Sequence, residues 1–209
     1  MTSAFLALQL WLGDAPPEKP RRSRGDEAQT KNKLETPHVV YCKAKSSPPN
    51  FEYVVVPFDR IFQAVRSGAA DAGLIIHEGQ LTYQQEGLVL CEDLGVWWGR
   101  ENDGLPLPLG GNVIHKRFEP AVRKRISDIL TASIRFGLDH RAEAVRHALQ
   151  YARDMGPELA DRFVGMYVNH WTLDYGERGR EAVRRFLGKA FERGLIPRLP
   201  ELEFVNGSN

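Results

Sequence analysis

The sequence predicts an α/β protein with a helical C-terminal segment, and three observations carry that prediction. Between residues 38 and 115, short β-rich runs alternate with an amphipathic helical stretch, the mark of parallel strand pairing. Beyond residue 118, apolar side chains recur at helical spacing. The 209 residues are 42% apolar and 26% charged, enough for one large domain or two small ones. The net charge of +1 gives no reason to expect nucleic acid or an anionic membrane as partner. Cys42 and Cys91 have neither metal-ligand spacing nor a disulfide framework and fit a reducing, cytoplasmic setting.

The elements follow in order. The apolar run in "MTSAFLALQLWLG" has no Lys or Arg before it and no small-x-small cleavage site after it. It is also shorter than the roughly 20 residues that a transmembrane helix needs. It reads as a short, largely buried helix with Thr2 and Ser3 at its start and Gly13 at its close. Residues 13–37 hold almost no large apolar side chain and are expected to be a mobile polar insertion, with Arg21, Arg22 and Arg24 offset by Glu18, Asp26 and Glu27. "HVVYCKA" and "FEYVVVPF" read as strands around the turn "KSSPPN". In "DRIFQAVRSG", Asp59 suits an N-cap, Ile61, Phe62 and Val65 share a face, and Gly68 is a stop. "ADAGLIIHE" reads as the next strand, and "GLVLCEDL" and "LPLPLGGNVIH" supply further strand material around a connecting "GVWWGRE". The Trp97–Trp98 pair is expected in the core.

Four helices are expected after that. They carry Val122, Ile126 and Ile129; then Val145, Ala148, Leu149 and Ala152; then Leu159, Phe163 and Met166 behind Gly156-Pro157. The last runs from about Arg178, with Val183, Phe186, Leu187 and Phe191 inward and Gly194 at its end.

The catalytic signatures that are missing exclude much. His77-Glu78 begins like H-E-x-x-H, but position 81 is leucine, and no G-x-S-x-G, Walker A loop or G-x-G-x-x-G occurs. What remains is "GLIIHEGQLTY", where an apolar run ends on His77. In open α/β sheets ligands bind beyond the carboxyl ends of strands, and imidazole exchanges protons near neutrality. His77 is therefore either a rigidly held base facing a cleft or a residue that closes its strand by a backbone hydrogen bond. Glu78 could orient the ring, although neighbouring strand residues point to opposite faces. Thr2 and Ser3 either cap their helix or, with its free N–H groups, bind a carboxylate or phosphate. "GLPLPLGGN" reads as an extended crossing or hinge segment in which Gly110 and Gly111 could let backbone approach a ligand, and the role of Asn112 stays open. His38, His115, His140, His147 and His170 share no spacing and are read as surface or core residues.

"GLIIHEGQLTY", "DLGVWW", "GLPLPLGGNVI" and "YVNHWTLDYGERGREAV" occur in the order and spacing of one family, and "TSAFLALQLWL" matches its Thr/Ser-start helix. From Phe51 to the C-terminal region the chain resembles the 1,4-dihydroxy-6-naphthoate synthases of the futalosine route to menaquinone. The chorismate dehydratases of that route share "DLG-x-WW"-like features but lack the IIHE stretch. The resemblance implies a type 2 periplasmic-binding-protein-like fold, two α/β lobes closing on substrate, here incomplete at the N-terminus. Residues 1–108 would be the second lobe, and 109–209 a crossing strand and helices belonging to the first. It implies a lyase acting on cyclic dehypoxanthine futalosine, with His77 as general base, Thr2 and Ser3 on a substrate carboxylate, and no metal or other cofactor. The family's first-lobe segment has no counterpart here, so the natural protein is expected to extend upstream of Met1 and the C-terminal helices to expose apolar faces open to association. The competing readings are a small-carboxylate-binding protein of the same fold without catalysis, and an inactive fragment.

Overall fold

Apolar runs become strands only where a neighbouring strand supplies the ladder, and that condition decides most of this fold. The computed structural model describes residues 3–14, 53–151 and 156–205. Thr2, the polar insertion beyond Asp14, the "HVVYCKA" strand with His38 and Cys42, the "KSSPPN" turn and Ala152 lie outside the described residues. The chain divides into two units, Met1–Trp97 and Trp98–Asn209.

In the first unit, α1 (Ser3–Asp14) buries Leu6, Ala7, Leu10 and Leu12, as its composition predicts. Phe5 on α1 meets Tyr53, with ring centroids 5.0 Å apart. A 3-10 turn, Phe58–Arg60, feeds α2 (Ile61–Arg66). Asp59 sits inside that turn and caps nothing, because Pro57 precedes the turn and takes the Arg60 N–H on its carbonyl at 2.9 Å. Gly68 ends the helix with φ +75°, a conformation that costs glycine least. A Cβ on Gly73 would overlap the Ile61 side chain, so the missing side chain lets residues 72–76 lie close against α2. Arg66 ties α2 to the following turns through Glu86 at 2.6 Å.

The expected strands are corrected: the described residues contain no β-strand, and their regular elements are helices joined by extended segments. "YVVVP", "GLII", "GLVL" and "LPLPLGGNVIH" carry β-rich composition, yet no ladder partner for them lies among the described residues. Several of their apolar side chains are accordingly open, with Val55 88% and Val113 96% exposed, whereas Leu105 is buried. "GVWWGRE" is corrected too. It forms α3 (Leu94–Glu101), started by Asp93, whose Oδ1 accepts from the Gly95 and Val96 N–H groups at 2.9 and 3.0 Å. Trp97 and Trp98 are buried, as expected.

The second unit is built on α4 (Pro120–Asp139), α5 (Arg141–Ala148), α6 (Pro157–Tyr167), α7 (His170–Leu173) and α8 (Gly176–Glu192). α4 packs on α5 and α7, and α5 on α6. Ala182, Phe186 and Ala190 repeat every four residues and bury one stripe of α8. Phe186 meets the Trp98 ring edge-on at 5.3 Å, and Trp98 Nε1 donates to the Pro106 carbonyl at 3.1 Å. Gly179 sits against Trp171 and Tyr175, where a larger side chain would not fit. Phe191, expected inward, lies at the end of α8 and is 45% exposed. Val122, Ile126 and Ile129 of α4 are exposed, and no residue of that helix is buried.

Candidate functional site

The extended segment 72–76 runs into His77, whose backbone is still extended (φ −128°, ψ −172°). The chain then tightens into a 3-10 helix, Glu78–Leu81. His77 caps that helix with its own ring: the Gly79 N–H donates to Nδ1 at 3.0 Å. The Gln80 N–H reaches the His77 carbonyl at 3.0 Å. The ring lies against Phe58 and Phe62, at centroid distances of 5.5 and 5.8 Å. The 3-10 turn before α2 supplies the first of these and α2 the second, so the amphipathic face of "DRIFQAVRSG" becomes one wall of the site.

Only 14% of the His77 side chain is exposed. Its Nε2 is buried and has no hydrogen-bond partner among the described residues. Leaving such a group unpaired costs about 1–3 kcal/mol, a cost that a ligand atom accepting from it or donating to it would remove. Glu78 Oε2 stands 3.8 Å from Nδ1. The expectation that Glu78 points away from His77 is corrected, because alternation belongs to strands and the chain has left extended geometry at residue 78.

Of the other sequence candidates, Ser3 opens α1 in the same unit and is half-buried, while Thr2 lies outside the described residues. The Phe5–Tyr53 contact joins that helix start to the strip leading to Phe58. Gly110, Gly111 and Asn112 belong to the second unit and are exposed, with the Tyr175 hydroxyl donating to the Gly110 carbonyl at 3.3 Å. His115, His140, His147 and His170 are exposed. Sequence reasoning missed Gly79 and the two phenylalanines as neighbours of His77. The available signal was "HEG", a capping residue with glycine two positions on. Among the described residues, no group of three or more His, Cys, Asp and Glu side chains is placed to hold a metal ion. No described helix is long and apolar enough to cross a membrane.

The chemistry on offer is that of a single imidazole in an aromatic setting, one nitrogen held by backbone and the other buried without a hydrogen-bond partner among the described residues. Comparison with known proteins points to one group. Residues 39–192 match the family model described as menaquinone biosynthesis. The 1,4-dihydroxy-6-naphthoate synthase of Streptomyces coelicolor is 40% identical over 148 residues, 71% of this chain and 52% of that protein. The enzyme of the same name from Thermus thermophilus is 38% identical over 155 residues, 74% of this chain and 57% of that one. A crystal structure of an Archaeoglobus fulgidus protein superposes with a TM-score of 0.64 at 40% identity, covering 68% of this chain and 53% of that chain. The chain thus spans a little over half the length of the curated relatives it matches.

Proposed function

This chain belongs to the menaquinone-biosynthesis family, and we propose that it carries the catalytic histidine of a carbon–carbon lyase that converts cyclic dehypoxanthine futalosine to 1,4-dihydroxy-6-naphthoate. The names of the two curated relatives support that choice of reaction. The observation that carries it is His77 Nε2, buried against an aromatic wall with no partner among the described residues. In this reading His77 is the general base. It takes a proton from the substrate, the electrons left behind break the bond to the ribose-derived part, and the remaining ring aromatises. Aromatisation supplies driving force. Thr2 and Ser3 at the start of α1 bind the substrate carboxylate, where helix N–H groups favour an anion.

For the whole protein we propose two α/β lobes of the type 2 periplasmic-binding-protein kind, acting in the cytoplasm on a small carboxylate. Residues 1–108 belong to the second lobe and 109–209 to the crossing strand and first-lobe helices. Incubation of the purified chain with cyclic dehypoxanthine futalosine, followed by mass spectrometry, tests the reaction. Appearance of the dihydroxynaphthoate supports it. Tight binding without product would favour a binding protein of the same fold.

A further inference from the structure

We propose that Gly79 is a positioning residue that sets the tautomer of His77, so that the resting ring carries its proton on the buried Nε2. The inference rests on the reading of His77 as the proton-transfer group and specifies how that group is prepared. A nitrogen that accepts a backbone N–H cannot also carry a proton. Gly79 donates to Nδ1 at 3.0 Å, so a neutral ring holds its proton on Nε2. The missing side chain matters equally. A Cβ on residue 79 would stand 2.6 Å from His77 Cε1 and 2.6 Å from Phe62 Cζ, closer than real contacts allow. Only glycine lets the ring reach the N–H and remain against Phe62.

The consequence for chemistry is direct. At rest, the buried Nε2 offers a proton, which suits a carbonyl or carboxylate oxygen of a ligand rather than a C–H bond. To act as a base, the ring must carry its proton on Nδ1 instead. In that exchange the Nε2 proton leaves to water and a proton from water arrives at Nδ1, so the charge of the ring is unchanged. The carboxylate beside Nδ1 is that of Glu78, whose Oε2 at 3.8 Å lies beyond hydrogen-bond distance and has to move closer to receive an Nδ1–H. Gly79 therefore holds the ring as a hydrogen-bond donor at rest, and the base form requires Nδ1 to leave Gly79 and the Glu78 carboxylate to close on it.

Nitrogen NMR of the chain labelled at its six histidines, at a pH where imidazole is neutral, reads the tautomer without requiring turnover. The spectrum of His77→Asn identifies the signals of His77. The expected pattern is a protonated Nε2 and an unprotonated Nδ1. A protonated Nδ1, or an averaged mixture of the two forms, overturns the proposal. In Gly79→Ala the His77 pattern is expected to lose its single form while the other five histidines keep theirs, and an unchanged His77 pattern overturns the role of Gly79. If that variant does not fold, the wild-type spectrum decides alone. A chain with the expected pattern and no product from cyclic dehypoxanthine futalosine fails as a synthase and keeps the tautomer assignment. Turnover with the opposite pattern does the reverse.

Discussion

The surroundings of His77 and the Trp98–Phe186 core each place an aromatic ring against a second ring, and they differ in what the contact does. Phe186 is 3% exposed and meets a tryptophan that is fully buried. Phe58 is 54% exposed and meets an imidazole with one polar atom left unpaired among the described residues. The first contact is packing, and removing it should open a cavity. The second holds a titratable ring in place at the edge of a wall. Stability and, in the proposed reading of His77, chemistry are thus drawn from different rings.

That contrast can be broken by truncation. Phe186→Ala should cost about 3–5 kcal/mol in urea unfolding, the range for deleting a buried aromatic. Phe58→Ala should cost about 1 kcal/mol, the ordinary value for a partly exposed site. Equal losses would mean that the wall around His77 is as much a core as the α8 stripe.

Helix starts sharpen the comparison at a smaller scale. Asp93 caps α3, and Asn169 caps α7 by accepting the Trp171 N–H at 3.0 Å. Replacing either by alanine should cost about 1 kcal/mol. His77 caps by the same geometry, so a His77→Asn variant, which can still accept the Gly79 N–H, should lose less stability than either alanine variant. A larger loss, measured in the same unfolding series, would make His77 chiefly structural.

The smallest effect is electrostatic. Glu203 is held below the ordinary glutamate value of 4.5 by its hydrogen bond to Arg123 and that residue's charge, with Lys116 adding less. Its contribution is complete above the ordinary value and is lost as pH falls through the lowered one. The pair is half-exposed on the Glu203 side, so Glu203→Gln should only slightly flatten the fall of Tm in acid and leave Tm near neutrality almost unchanged. A large drop at neutral pH would show that solvent screens this pair less than its exposure implies.

Much of the helical part was legible in the sequence because helices satisfy their hydrogen bonds within their own segment. Gly68 and Gly194 marked ends that the structure keeps, with φ +75° and +66°. Of the buried stripe of α8 the apolar spacing marked only Phe186: its other members are the small residues Ala182 and Ala190, while Val183 and Leu187 are half-buried and Phe191 falls outside it. Strands were not legible in the same way. "GLII" and "YVVVP" announce extended backbone, but a strand is a property of a pair, and the partner is not among the described residues. "GVWWGRE" was read as a connection because its tryptophans and glycines hid the start that Asp93 supplies. For the site, His77 stood out at the end of its apolar run. Its neighbours did not, since Phe58 and Phe62 come from an earlier turn and helix, and the requirement for glycine at 79 arises from their approach.

The most direct test compares the wild-type chain with His77→Asn for product formation from cyclic dehypoxanthine futalosine and, by calorimetry, for its binding. The expected result is binding retained within a few fold and turnover reduced by about 10²–10⁴, the range for loss of a general base. Equal turnover in both forms, or loss of binding and turnover together, would contradict His77 as the base.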